Sequence, residues 1–326
     1  MLEDYRNALR AGQRATRAAQ ARGQSPYLAV LDDILRGVNI VAQEPLGLVD
    51  IPAESIVGTK TAGRHTAFAP NFMPILEADS EFARKWSNLC DAHLEEGIRY
   101  PVTAYEYLNK FYVEEGNKRV SVLKYYEAVK IPGTVTRLVP ERNETLENKI
   151  YYEFLDFYKL SKINYVHFSR LGGYAKLQTL ACKATGESWT DDDRLNFASL
   201  YTMFSQQFYA LGGSALGLTP GDALLVYLAV YRYSDAIEST PAQVRENLSK
   251  LWDEIKILTR PQAVELQLEP ATKQGAEPLL SKLNIFSPRP SELRVVLLHE
   301  HNAQTSAWVR GQDKGRDALL KAFPGR

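Results

Sequence analysis

Cysteine is nearly absent, with two in 326 residues, Cys90 and Cys182. Nothing near either resembles a metal-ligand cluster, and two isolated thiols are not a disulfide framework. Both are expected to behave as small buried apolar residues in a reducing compartment. There is no run of 18 apolar residues, which excludes a predicted membrane-spanning helix. The start, Met1-Leu-Glu-Asp-Tyr-Arg-Asn-Ala, lacks the basic-then-apolar pattern of a signal peptide. As written, the chain is expected in the cytoplasm. Net charge is also missing: 39 Lys+Arg balance 39 Asp+Glu. A neutral chain offers no global attraction for nucleic acid, so any DNA contact would need a local patch. What remains is an ordinary globular composition, 45% hydrophobic and 24% charged, long enough for two or three domains. Tyrosine is abundant at 18 residues, all but Tyr5 and Tyr27 lying between Tyr100 and Tyr233.

The richest segment is Phe111-Tyr-Val-Glu-Glu-Gly-Asn-Lys-Arg-Val-Ser-Val-Leu-Lys-Tyr-Tyr126. β-prone residues run into a glycine, then Asn117, Lys118 and Arg119, then a helical stretch through Ala128. Unpaired amides at a helix N-terminus attract anions. Lys118 would add mobile charge and Arg119 a bidentate fork suited to phosphate. The alternative is a tight turn whose cations sit in water. Glu114 and Glu115 precede the turn as weak candidates for a metal such as magnesium, or as surface acids ending a strand. A second anion-binding candidate is the loop Gly58-Thr-Lys-Thr-Ala-Gly-Arg64, where Lys60, Thr61 and Arg64 supply donors. It lacks P-loop spacing. Its weight depends on whether it faces Gly116–Arg119 in space.

Residues 2–22 are rich in helix formers and stop at Gly23. Tyr27–Leu35 is a short helical or extended piece, and Leu46–Pro52 a strand. Asp79–Gly97 is helical, with Ser80 or Asp79 as cap and Phe82, Trp86, Leu89, Cys90, His93 and Leu94 at three- and four-residue spacing. His93 on that face suits a core or boundary position. Val102–Asn109 is expected as a short helix and Thr134–Val139 as a strand ended by Pro140. Residues 46–140 thus alternate strand, helix, strand, helix, strand. Beyond them helices are expected over 144–158, 170–181, 191–211, 220–231 and 241–258, with Thr190 and Thr240 as starts and a short strand at Ile163–Ser169. This helical density suits DNA reading or packing, and no basic recognition helix is present. Residues 259–290 have linker composition. Leu293–His299 predicts a buried strand, followed by a helix from Ser306.

Two family resemblances follow from these residues. Residues 46–140 resemble the ParB/sulfiredoxin-like domain, in which a strand leads to a Gly-x-x/His-Arg-Arg turn and a helix whose N-terminus binds nucleotide phosphate. Gly116, Asn117, Lys118 and Arg119 occupy that motif, and Arg119 takes the phosphate-contacting arginine position. No cysteine stands near Gly116, which speaks against sulfiredoxin's reductase chemistry. The tail, Val295-Val-Leu-Leu-His299 with Thr305-Ser-Ala-Trp308 and Gly311–Gly315, resembles the start of the basic membrane protein (BMP) family of periplasmic-binding-protein-like domains, which bind purine nucleosides for ABC uptake. Parent proteins of that family are often exported or membrane-associated.

The fold class expected is therefore α+β: a ParB/sulfiredoxin-like small mixed sheet with helices, then a mainly helical domain, then a truncated βα start of a periplasmic-binding-protein-like domain. The boundaries expected are 1–45 (helical arm), 46–142, 143–260, 261–290 (linker) and 291–326, with the C-terminal binding domain missing. The function expected is a nucleotide- or phosphate-binding regulatory module, with a nucleotide or nucleoside as partner and magnesium as a possible companion. The alternatives are the substrate-binding component of an ABC transporter and a DNA-binding ParB-like protein. A third reading, an enzyme that uses the phosphate site for hydrolysis or transfer with Glu114 or Glu115 as the acidic residue, is left open behind binding.

Overall fold

The computed structural model describes residues 2–259. The expected linker at 261–290 and the βα start at 291–326 lie outside the described residues. In chain order the first half comprises α1 (Leu2–Ala21), β1 (Ala29–Val30), α2 (Leu31–Ile34), β2 (Ile40–Pro52), β3 (Ile56–Thr59), α3 (Glu81–Glu96), β4 (Val102–Tyr107), β5 (Lys110–Glu115), α4 (Asn117–Tyr125) and β6 (Lys130–Pro140). The second half is helical: α5 (Leu146–Ser161), α6 (Gly173–Leu180), α7 (Asp191–Ala210), α8 (Pro220–Val230), α9 (Tyr233–Ile237), α10 (Pro241–Lys250) and α11 (Trp252–Ile257). The molecule is mixed α/β around one six-stranded mixed sheet, ordered β1-β3-β5-β4-β6-β2. Among the described residues no helix is long and apolar enough to cross a membrane.

β1, β3 and β5 run parallel, β4 runs antiparallel to β5 and parallel to β6, and β2 pairs antiparallel with β6. On one face Ile51, Ile56, Val102, Ala104, Phe111, Val113, Ile131 and Val135 form a core with Val120 and Leu123 of α4. The opposite face carries Tyr107, Tyr112 and Leu138 against Leu31. Behind α4, Trp86 of α3 packs edge-on against Tyr5 of α1 and donates its indole N–H to Ser121 Oγ at 2.8 Å. The α3 N-terminus is capped by Ser80, whose Oγ accepts from Ala83 N. His93 is a boundary residue, its Nδ1 accepting from Ile98 N at 3.3 Å.

Several expectations need correction. Val102–Asn109 is not a helix: Val-Thr-Ala-Tyr-Glu-Tyr alternates inward and outward and pairs on both sides as β4. Leu108 and Asn109 both have positive φ and form the two-residue hairpin to β5. The strict alternation of strand and helix over 46–140 therefore fails. The arm at 1–45 is more than helix, since Ala29–Val30 and the first residues of β2 join the sheet. Gly58 and Thr59 end β3 rather than opening a loop. Ile163–Ser169 is no strand; with no neighbour to pair, it turns between α5 and α6 and buries Ile163, Val166 and Phe168 in the helical core. The helix expected over 241–258 breaks at Leu251. Cys182 is exposed, with φ of 59°, while Cys90 is buried as expected.

Four threonines start helices in the second half. Thr145, Thr190, Thr219 and Thr240 each accept from the amide three residues on, and the last three complete a reciprocal capping box. Their helices enclose an aromatic core of Phe154, Phe157, Tyr174, Trp189, Phe197, Phe204, Phe208 and Tyr227. α8 lies at its centre, and the buried Asp222 closes the α8 cap while also accepting from Ser169 N at 3.1 Å.

Sheet and helices meet through charge. Glu106 of β4 is 1% exposed and Arg137 of β6 is 2% exposed, with Arg137 Nε donating to Glu106 Oε2 at 2.5 Å. Tyr151 of α5 donates its hydroxyl to the same oxygen at 3.1 Å, and Asn109 N donates to Oε1 at 2.7 Å. The guanidinium lies over the rings of Phe154 and Tyr158. Burial pushes the Glu106 carboxyl up, and Arg137 pulls it back down. Glu106→Gln keeps the shape but leaves a buried guanidinium uncompensated. It is expected to lower unfolding free energy by about 3–5 kcal/mol in urea titration, and the Glu106→Leu/Arg137→Met double variant to recover part of that loss. A Glu106→Gln protein as stable as the parent would refute this account.

Candidate functional site

β3 and β5 pair in parallel, with Thr59 opposite Val113, so both strands end on the same edge of the sheet. Val113 carbonyl accepts from Thr59 Oγ1 and from Lys60 N, both at 2.9 Å, which fixes where the segment after β3 departs. β5 continues through Glu114 and Glu115 to Gly116. Gly116 takes φ of 107°, and a Cβ there would stand 2.8 Å from Val102 Cγ1 and 3.0 Å from Arg119 Nε. Only glycine fits that bend. α4 starts at once, its first intrahelical bond running from Val120 N to Gly116 O. The amides of Asn117, Lys118 and Arg119 precede that bond, and the first turn holds no acidic residue.

The two predicted segments come together. Asn117 Nδ2 donates to Thr59 Oγ1 at 3.2 Å, joining the start of α4 to the end of β3. Asn117 Oδ1 is buried and accepts no hydrogen bond among the described residues. Lys118 Nζ lies 4.7 Å from the centroid of the Phe82 ring on α3. Partial burial lowers the Lys118 pKa, with Arg64 and Lys85 lowering it further and Glu81 opposing them. Lys85 is paired with Glu81 at 2.6 Å. Neither Lys118 nor Arg64 has an ion-pair partner among the described residues. Arg64 is exposed on the short 3-10 segment Ala62–Ala67.

The other predicted residues are placed differently. Arg119 does not hold its fork open: Nη1 donates to the carbonyls of Tyr100 and Pro101, at 3.0 and 2.6 Å, and Nη2 to Glu115 Oε1 at 3.2 Å. Its guanidinium braces the Gly116 bend against the segment entering β4. Lys60 turns to the opposite face of the sheet, 3.4 Å from Asp32 and over the Tyr105 ring. Thr61 is exposed at the start of the 3-10 segment, with no side-chain cap bond. Glu114 and Glu115 are exposed, and among the described residues no group of three or more His, Cys, Asp or Glu could hold a metal ion. The arrangement therefore offers amides, an unpaired ammonium and an unpaired guanidinium at one sheet edge, a set suited to an oxyanion.

Lys124, which sequence reasoning missed, is a half-buried cation of α4. Its Nζ donates to Ile56 O at 2.7 Å and lies over the Phe72 ring. Burial pushes its pKa down to about 8, with Glu54 pulling it up. No local signal separates it from Lys118 in the sequence; only packing does. Because the folded pKa lies below the ordinary 10.5, the unfolded chain holds the proton more tightly between pH 8 and 10.5. Relative to Lys124→Met, the parent should gain stability as pH rises through that window, by roughly 2–3 kcal/mol. Urea unfolding of both proteins at pH 7.5 and pH 10 reads this, and a pH-independent difference would contradict it.

In comparisons with protein-family models and with curated proteins, the chain gives no match to either.

Proposed function

We propose that the sheet and its helices form a ParB/sulfiredoxin-like module that binds the phosphate of a nucleotide or related small molecule at the start of α4. The observation that supports this reading is the Asn117–Thr59 hydrogen bond. It sets the end of β3 beside the Gly116 bend, at the common edge of two parallel strands, where ligands of such sheets bind. In this reading the amides of Asn117 and Lys118 meet the phosphate, and Lys118 and Arg64 neutralise it. Arg119 is a positioning residue, because its fork already holds the bend. The helical half packs on the module through Glu106, Arg137 and Tyr151 and would relay occupancy. The nucleoside-uptake reading rests on residues outside the described ones, and DNA binding lacks a basic recognition helix among the described residues.

Thermal unfolding and calorimetry with a nucleotide panel, with and without magnesium, test the proposal. A nucleotide at a hundred times its dissociation constant should stabilise the parent by about 2.7 kcal/mol. Lys118→Ala and Arg64→Ala should each weaken binding about tenfold, given about 1.5 kcal/mol or more per charged hydrogen bond, with stability of the free protein little changed. Arg119→Ala should instead lower the stability of the free protein. Binding that ignores both Lys118→Ala and Arg64→Ala, or no binding by any nucleotide, ends this reading.

A further inference from the structure

A second site lies under α5, apart from the α4 turn. A cavity of about 630 Å³ opens between β2, β6 and α5. Arg137 lines it, and Arg137 is unusual. The side chain is 2% exposed, yet only its Nε is hydrogen-bonded, to Glu106. Its Nη1 approaches Glu44, its cross-strand partner, no nearer than 3.9 Å. Neither Nη makes a hydrogen bond among the described residues, and a guanidinium that lines a cavity with open donors can offer them to an acceptor placed there. The cavity lining also includes Arg142 and Lys162. Arg142 lies over the Tyr152 ring and Lys162 over the Tyr158 ring, and neither forms an ion pair among the described residues. Lys159, the remaining cation of the lining, is paired with Asp156. The lining therefore holds four cations (Arg137, Arg142, Lys159, Lys162) and two carboxylates (Glu44, Asp156), a local excess of two positive charges in a neutral chain. Its aliphatic part is Val41, Pro45, Leu46, Val139 and Leu155.

We infer that this cavity is a binding site for a small organic anion. A carboxylate or phosphate group would accept from the open Nη donors of Arg137, with Arg142 and Lys162 at the rim. An apolar or aromatic body would lie along Leu155, Leu46 and the Tyr158 ring. Glu44, 3.9 Å from Nη1, is the internal competitor for the open donors. The volume fits a drug-sized or smaller ligand. The paired geometry of guanidinium and oxyanion supplies the selectivity.

The test uses the full chain with three probes of one shape: phenyl phosphate, benzoate and neutral benzyl alcohol, titrated by calorimetry and by protein NMR. Both anions should bind, and benzyl alcohol at least tenfold more weakly. Phenyl phosphate binding tighter than benzoate assigns a phosphate ligand, and the reverse order a carboxylate. Arg142→Ala/Lys162→Ala changes exposed side chains only, and should weaken anion binding at least fivefold with an unchanged circular dichroism spectrum. Glu44→Gln should tighten it at least threefold. Lys118→Ala should leave it unchanged, which separates this site from the one at α4. Equal binding of benzyl alcohol, no anion binding, indifference to Glu44→Gln or to Arg142→Ala/Lys162→Ala, or loss with Lys118→Ala overturns the inference.

Discussion

One buried charge pair sets the positions of most other parts of this molecule. Glu106 and Arg137 are removed from water at the seam between sheet and helices. Removing two ions from water is costly, and their attraction offsets that cost only when the remaining donors and acceptors are met. Three neighbours meet those of Glu106. Arg137 donates to one carboxylate oxygen, Tyr151 to the same oxygen, and Asn109 N to the other. Each bond fixes a different element. Tyr151 seats α5 on the sheet. Asn109 holds a hairpin whose two linking residues both adopt left-handed backbone, a conformation that Leu108 resists. That hairpin sets the register of β5 on β4, and β5 delivers Gly116 to the edge where α4 begins.

The cations of the sheet half fall into separate classes by what surrounds them. Arg119 and Lys124 serve the fold. The first ties the glycine bend to the carbonyls of Tyr100 and Pro101, and the second covers the carbonyl of Ile56. Lys60 is held by Asp32. Lys118, over the Phe82 ring, and Arg64 have no ion-pair partner among the described residues, and the charge of Arg64 reaches Lys118 at the start of α4, where three amides precede the first intrahelical bond. Partial burial first, and then the like charges of Arg64 and Lys85, raise the free energy of keeping Lys118 protonated, as its lowered pKa reflects. A fold retains that repulsion at little cost in water, but an anion placed between the two relieves it. The contrast between engaged and unengaged cations, rather than the number of basic residues, is what marks the candidate site.

Much of the helical half was legible because its signals are local. A threonine three residues before Asp or Gln states a helix start without reference to the rest of the chain, and Thr190 and Thr240 did so. The strand-glycine-helix of 111–125 was legible for the same reason: β-prone residues, one glycine and a run of helix formers follow one another within fifteen positions. Val102–Asn109 was misread because Ala104, Glu106 and Leu108 favour helix as singles, while the deciding contacts are made with strands that precede and follow. Cys182 was misplaced on residue type alone, since its exposure depends on how α6 ends.

The candidate site was half legible, and the division falls at tertiary structure. Gly116, Asn117 and Lys118 sit where the local pattern puts them. Arg119 follows them in sequence and has the donor geometry for phosphate, but its partners are carbonyls at Tyr100 and Pro101, brought close only by the β4–β5 hairpin. Arg64 joins the site because β3 and β5 run parallel, a pairing that spans more than fifty residues. Arg137 gave a signal that a closer reading could use. A charged residue inside Thr-Val-Thr-Arg-Leu-Val, in a strand otherwise suited to burial, must either face water or own a partner. The sequence cannot say that the partner is Glu106, thirty-one positions earlier, nor that two of the guanidinium nitrogens are left over. A donor with no acceptor becomes visible only after every nearer claim on it has been placed in space, which is why sites built on leftover hydrogen-bonding capacity come from the fold and not from the motif.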